Sequence, residues 1–436
     1  MLSIAFRCLS LFSGRFPGRP RLAGGATLAQ SGRSKEIASG GALVLKAFLT
    51  FLAAYVLSQF YRAFLAVIAP ELSRELGLDP QALGNLQALW IAGFVVMQFP
   101  VGWALDTLGP RRVISGLMIL AVAGALLFAR AHSAAQVDFA MTLIGMGCSA
   151  VYMGAIYALG RATSPDRFAG LASGLLGLGA AGNLLASSPM GFAASVFGWR
   201  AAMMLVAGLT AASALTVFLL IEDPPRLARH GSDGFFAGLG EILGLRALWP
   251  ILPLTAVGYS VVFAERGLWA GPFFAQVYGL DPFARGNAIL AMAIAMSLGA
   301  LSYGPLDRIF GTRKWVVAGG SLVTSLCFLA LGFFALPLGP AIALMAALGA
   351  FGLTYGVLMA HGRAFFPERL LGRGITTMNV FFIGGAGVLQ PLSGAYMSSM
   401  RGEPPALAFQ RLHLAFGGLL MAALLVYLFA REARKT

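Results

Sequence analysis

The sequence predicts an all-α polytopic membrane protein, twelve transmembrane helices arranged as two pseudo-symmetric six-helix halves. Three observations lead there: a shortage of charge, apolar runs of membrane-spanning length, and an internal repeat at one constant offset. Of the 436 residues 58% are hydrophobic and only 11% charged, against about 25% charged in an ordinary soluble domain. So few charges cannot cover a water-facing surface. Apolar runs of about twenty residues, the length a helix needs to cross a hydrocarbon core, recur from Leu43 to the end of the chain. They are rich in Leu, Ala, Gly and Phe and lack the alternation of a membrane strand, which points away from a β-barrel.

The spans are expected at 43–70, 82–105, 112–130, 137–163, 169–194 and 200–221, then at 248–276, 286–306, 315–337, 340–366, 373–398 and 411–430. Residues 1–40 are Arg, Ser and Gly rich with Glu36 as the one acid, and read as a disordered cytoplasmic tail. An organellar targeting segment is the lesser reading. The N-terminal half then covers 41–221, a linker 222–247, the C-terminal half 248–431 and a short tail 432–436. Glu222-Asp223-Pro224-Pro225 opens the linker, where acids and prolines end a helix and enter solvent.

Adding 202 to a position in the first half repeatedly lands on the same residue type in the second. Gly77-Leu78-Asp79-Pro80 meets Gly279-Leu280-Asp281-Pro282, Gly84-Asn85 meets Gly286-Asn287, Arg111-Arg112 meets Arg313-Lys314, and Pro189 meets Pro391. Six spans return the chain to its starting side, so the copies have parallel topology. Halves so related place a site between them, and rocking one against the other exposes it alternately.

The net charge of +14 would suggest nucleic acid in a soluble protein. Here its distribution argues otherwise. Basic residues gather in alternate short loops, at Arg111 and Arg112, Arg161 and Arg167, Arg308, Arg313 and Lys314, and Arg363, Arg369 and Arg373. The positive-inside rule makes these loops, both termini and the linker near His230 cytoplasmic. The charge is expected to report topology in a cell inner membrane and contact with anionic lipid, with no nucleic-acid partner. Cys8, Cys148 and Cys327 have no paired spacing and imply no disulfide framework.

After the second span comes Gly102-Trp103-Ala104-Leu105-Asp106-Thr107-Leu108-Gly109-Pro110-Arg111-Arg112, and Gly304 to Lys314 is a degenerate copy with its acid, Asp307, displaced by one place. This stretch closely resembles the signature of the major facilitator superfamily, and the resemblance covers residues 43 to 430. By itself the motif reads as a tight turn with basic anchors. The resemblance implies a secondary transporter in which Gly102, Asp106, Gly109, Arg111 and Arg112, with Asp307, Arg313 and Lys314 in the second half, form a state-dependent latch.

Charges inside spans are costly and point to function. Tyr55, Gln59 and Arg62 share one helical face of the first span, and Glu265-Arg266 stand at similar depth in the seventh. One reading is a buried Arg62–Glu265 ion pair. The other takes Arg62 and Arg266 as a fork-shaped site for a carboxylate or phosphate, with Glu265 able to carry a proton. Arg62, eight residues before Pro70, resembles the first-span arginine of the organophosphate and anion-cation symporter branches. Met292 and Met296, one turn apart, resemble the methionine pair of a bacterial copper-importer branch, and Cys148, Cys327, Met359 and His361 add soft donors. Spaced methionines are more often packing.

No phosphate-cradling loop, zinc spacing or nucleophile elbow appears, which argues against ATP-driven pumping and enzymatic chemistry. The sequence therefore leads to a monomeric, cofactor-free secondary transporter of a small polar, anionic solute, coupled to H+. Copper import is one alternative, and a transporter-shaped receptor or assembly factor that no longer cycles is another.

Overall fold

The computed structural model describes residues 27–163, 165–223, 241–242, 244–366 and 371–432. Among them the regular structure is helical throughout, without a strand. In the N-terminal half α1 (Thr27–Tyr61) and α2 (Leu65–Leu76) make the first span, α3 (Pro80–Leu108) the second and α4 (Pro110–Ala129) the third. The fourth is α5 (Ala134–Cys148) with α6 (Val151–Ala162). The fifth and sixth come from α7 (Pro165–Gly179), α8 (Ala181–Leu185) and α9 (Ser188–Leu220). The C-terminal half opens with α10 (Leu252–Ala264), a π-helical turn (Glu265–Trp269) and α11 (Ala270–Tyr278). It continues through α12 (Pro282–Ile309), α13 (Lys314–Phe333), α14 (Leu338–Phe351) with α15 (Tyr355–Arg363), α16 (Leu371–Ser399) and α17 (Pro405–Tyr427).

Among the described residues ten helical runs are long and apolar enough to cross a membrane, and α3, bent by 47° near Pro100, makes an eleventh. The run Gly170–Leu220 counts as one yet holds 51 residues, about 77 Å of helix against a hydrocarbon core of about 30 Å. Gly198, at φ 79°, breaks it. That division gives twelve spans, six in each half.

Helical backbone starts at Thr27, within the 1–40 segment that the sequence assigns to a disordered tail. Nothing between Thr27 and the first span is proline, so a helix nucleated in the span propagates backwards. Residues 1–26, the linker stretch 224–240 with His230, and 433–436 lie outside the described residues.

The repeat is in large part a helix-start device. Gly77 and Gly279 end the preceding helices at φ 65° and 68°, a left-handed conformation that glycine adopts without a Cβ clash. Asp79 and Asp281 then cap α3 and α12, accepting from the backbone N–H of Ala82 at 2.6 Å and Ala284 at 2.8 Å. Pro80 and Pro282 follow at the first helical position, where a missing N–H is harmless.

At this aspartate-capped end the two halves are clasped. A Cβ on Gly84 would sit 2.5 Å from the carbonyl oxygen of Gln390, and one on Gly394 2.7 Å from that of Pro80. Gly191 approaches Pro282 about as closely, and Gly271 approaches Ala66 more closely still. Polar contacts accompany the close approach: Gln81 N–H to Ser398 Oγ at 3.1 Å, Ser188 Oγ to Asn287 Oδ1 at 2.5 Å, and an Arg401–Asp79 ion pair. Arg285, 1% exposed, donates to the Val67 carbonyl at 2.9 Å and to Glu71 at 2.6 Å, crossing from the C-terminal to the N-terminal half.

Candidate transport site

The first span of each half is interrupted mid-way, and the interruptions correspond in the repeat. Between α1 and α2 the chain tightens over Arg62–Phe64, with Ala63 N–H bonded to the Phe60 carbonyl at 3.0 Å. In the seventh span the π-helical turn Glu265–Trp269 takes the equivalent place. Such turns leave backbone groups available and re-aim side chains, which is why they recur at functional sites. The two breaks face each other. A Cβ on Gly267 would lie 3.7 Å from the Arg62 carbonyl and 3.7 Å from Gln87 Nε2.

Arg62 projects its guanidinium over Trp90 and Phe94, 5.4 and 4.9 Å from the ring centroids, a cation–π setting that holds a charge without neutralising it. Its carbonyl accepts from Gln87 at 3.2 Å, while its Nε is buried without a partner. Arg266, 5% exposed, reaches across to the N-terminal half and donates to the side-chain oxygen of Asn183 at 3.2 Å and to its backbone oxygen at 2.9 Å. Its Nε is also unpartnered. Asn183 lies in α8, the short helix that interrupts the fifth span. Tyr55 and Gln59 join as expected, Gln59 Nε2 donating to Tyr55 Oη at 3.1 Å. Tyr259, absent from the sequence reading, lies within electrostatic reach of Tyr55, Arg62 and Arg266, and its ring stacks on Phe382 at 4.4 Å. The structure thus gathers Tyr55, Gln59, Arg62 and Arg266 between the halves and adds Asn183 and Tyr259.

Glu265 is placed differently. The sequence reading of an Arg62–Glu265 pair is not what the structure contains: Glu265 Oε2 lies 3.4 Å from His413 Nε2 on the twelfth span, both side chains fully buried. Adjacent residues on a helix diverge by about 100°, which sends Arg266 toward the N-terminal half and Glu265 into its own. His413 carried no signal beyond being a histidine in an apolar span.

Among the soft donors, Met292, Met296 and His361 have other partners, and Cys148 and Cys327 are buried free thiols. Met292 and Met296 pack on Gly349 of the tenth span, and His361 engages Tyr427 Oη at 2.7 Å and the Arg431 carbonyl at 2.9 Å through its two ring nitrogens. Met292 and Met296 therefore do helix packing here, as their spacing alone allows.

At the basic end the hairpin motif is held by an acid the sequence assigned to the linker. Asp223 accepts from Arg111 N–H at 2.8 Å, at the N-terminus of α4 where the helix dipole favours a negative charge. Gly109 lies so close to the Asp223 carboxylate that no Cβ fits, and its φ of 86° excludes ordinary residues independently. The Arg111 guanidinium rests 4.5 Å over Phe218. Asp106 and Gly102 are exposed, and Asp106, Arg112, Tyr157 and Asp223 border a cavity of about 80 Å³. The second half repeats the device with Glu432, which accepts from Thr312 Oγ1 at 2.8 Å and from the backbone N–H of Arg313 at 3.0 Å and Lys314 at 3.4 Å. Burial raises the Glu432 pKa, but those hydrogen bonds and nearby His361 outweigh it and leave the carboxyl below its usual range. The Arg313 guanidinium donates to the Ala360 carbonyl at 3.2 Å. The side chain of Asp307 lies outside the described residues.

At the opposite end a cavity of about 880 Å³ opens between the halves, bordered by Glu71, Arg74, Glu75, Asp281 and the buried Arg285. It stops at the Arg285 clasp. Twelve spans in two halves are thus clasped at one end, with the guanidiniums of Arg62 and Arg266 set mid-span between the halves.

Comparison with known proteins places the chain. Residues 51–284 match the Major Facilitator Superfamily, and the chain belongs to that family. Its apolar helices make it a multi-pass membrane protein of that transporter family. It is 28% identical over 208 residues to the nitrate/nitrite transporter NrtP of Nostoc punctiforme, covering 46% of this chain and 40% of that protein. It is 22% identical over 250 residues to the uncharacterized transporter YybO of Bacillus subtilis, covering 53% of this chain and 57% of that one. A 52-residue stretch, 12% of each chain, is 36% identical to the probable galactarate/D-glucarate transporter GudP of Escherichia coli. The chain thus spans only about half the length of the first two curated relatives. Among solved structures, a bacterial homolog of the human lysosomal transporter Spinster superposes with a TM-score of 0.71 at 16% identity, covering 88% of this chain and 96% of that one. A D-xylose-proton symporter gives 0.72 at 14% identity over 90% and 99% of the two chains. At these identities the likeness is one of fold.

Proposed function

We propose that the chain carries a small polar anion across the cell inner membrane by alternating access, with H+ as the driving ion and both termini in the cytoplasm. The observation that carries this reading is the pair of guanidiniums, Arg62 from one half and Arg266 from the other, each with an unpartnered buried Nε. Neither forms an ion pair among the described residues. An oxyanion between them would accept charge-assisted hydrogen bonds from both halves at once. Binding then draws the halves together, which is the differential interaction a state change requires. Relatives named for nitrate/nitrite and for galactarate/D-glucarate, both anions, support the same class.

With the loops bearing Arg111 and Arg313 in the cytoplasm, the Arg285 clasp is the outer gate and the described state is closed outward. The hairpin residues Gly102, Asp106, Gly109, Arg111, Arg112, Asp307, Arg313 and Lys314 then serve the inner closure, as the family resemblance implies. Exposed Asp106 would find its partner only when the basic end closes.

The test is a ligand screen on purified protein in lipid, reading thermal stability against nitrate, phosphate, mono- and dicarboxylates including galactarate, and neutral sugars and nucleosides. A ligand that binds the folded state raises its melting temperature by mass action. Stabilisation confined to anions, followed by uptake of that anion into proteoliposomes, is the expected result. Stabilisation by neutral solutes alone would overturn the reading.

A further inference from the structure

Six side-chain atoms in the C-terminal half outside the anion site are buried with no hydrogen-bond partner among the described residues: both carboxylate oxygens of Glu265, both ring nitrogens of His413 and both amide atoms of Gln390, and of these only Glu265 and His413 are titratable. Their side chains are fully buried and 3.4 Å apart at Oε2 and Nε2. Native interiors leave few such groups unsatisfied, and each one found calls for a reason. Among the described residues no hydrogen-bond partner is found for either side chain. His413 is walled by Phe273, Phe328 and Phe409 at ring-centroid distances of 5.0, 6.2 and 6.4 Å. The Trp269 indole, on the same turn as Glu265, gives its N–H to Ser393 at 2.9 Å. The neighbouring cation, Arg266, is turned away to Asn183. From the N-terminal half the break packs against α2 and α3; there Glu71 is held by Arg285, and Gln87 is neutral.

The geometry points to the Glu265–His413 pair as the site that takes up and releases the coupling proton, separate from the anion site but built on the same π-helical turn. The inference rests on the proposed proton-coupled reading and gives it a location. With one proton the pair is net neutral, as carboxylate and imidazolium or as carboxylic acid and imidazole. Without that proton an uncompensated carboxylate stands in an aromatic wall, which a sealed apolar site does not tolerate. The two forms therefore favour different packing of the seventh span against the twelfth. Glu265 and Arg266 are consecutive in one turn, so a shift that exposes Glu265 to solvent moves the guanidinium facing the anion. No bond other than O–H and N–H changes, and the proton comes from and returns to water at the open end. A purely structural staple between spans would not link protonation to the position of Arg266.

The experiment needs no transported solute, so its failure and failure of the anion reading are separate results. Ser188 and Asn287, hydrogen bonded across the clasp, are replaced by cysteine in a background lacking Cys8, Cys148 and Cys327. The yield of a short bifunctional thiol crosslinker is followed against pH in proteoliposomes. The expected result is a yield that, normalised at each pH to the rate at which the same cysteines react with a monofunctional reagent, depends on pH in the parent protein and loses that dependence in Glu265→Gln and in His413→Asn. Retention of the same pH dependence in either variant would overturn the inference. If the variants do not fold, infrared titration of the otherwise unmodified protein decides instead. A protonated-carboxyl band must appear and vanish over the pH range in which the normalised crosslink yield changes, and the absence of such a band sinks the proposal.

Discussion

Arg62 and Arg266 were legible in the sequence because charge inside an apolar span is rare enough to stand out. What they touch was not legible. Asn183 and Tyr259 are ordinary residues for their spans, and only the packing of two halves brings them to the guanidiniums. Glu265 was legible as unusual and mispaired, because adjacent residues on a helix diverge by about 100° and its carboxylate faces His413 instead of Arg62. Asp223 and Glu432 were hidden for another reason. Each follows the last span of its half, they do not obey the 202-residue offset, and acids at a helix exit read as solvated linker. The Asp223 contact has a measurable worth at this scale. Asp223→Asn removes the charge from a hydrogen bond at a helix N-terminus, and should lower stability by about 1 kcal/mol, read as melting temperature in detergent. Asp106→Asn, exposed in this state, should leave melting unchanged while lowering uptake of the anion identified in the screen. Wild-type uptake would reduce Asp106 to a turn residue.

Among the elements, the span order was readable from hydropathy and the helix starts from Gly-Leu-Asp-Pro, because capping is local chemistry. The interruptions of the first, fifth and seventh spans were not readable, since breaks of a few residues inside an apolar run are set by contacts between helices. Two predictions belong here. Gly84→Leu forces a side chain onto the Gln390 carbonyl at the clasp, a contact between halves with no room to yield. It should shift the protein away from the closed arrangement without unfolding it, seen as faster alkylation of a cysteine placed at Asn287. The second is a pH effect. The Glu432 carboxyl, held below its usual range in the folded protein, contributes stability above the unfolded pKa. That contribution is lost as pH falls from the usual carboxylate range through the folded value below it. Melting temperature should therefore fall less steeply over this range in Glu432→Gln than in wild type, and equal slopes would show that the carboxylate's contacts on Thr312, Arg313 and Lys314 are not stabilising.

For the molecule as a whole, the twelve-span parallel repeat came from one arithmetic regularity, and the fold agrees with it. Orientation rests on the loop arginines, and single-cysteine labelling at Ser232 checks it. Protection of that site from an impermeant reagent added outside is expected, and rapid labelling would invert the assignment of the Arg285 clasp as the outer gate. The central claim is that one anion is held by two arginines from opposite halves. The measurement is proteoliposome uptake and ligand-induced thermal stabilisation by the anion found in the screen, for wild type, Arg62→Gln and Arg266→Gln. Each lost charge-assisted contact should cost about 1.5–3 kcal/mol, or roughly ten- to a hundredfold in affinity, in a protein that still folds. Full uptake and unchanged stabilisation in both variants would contradict the account.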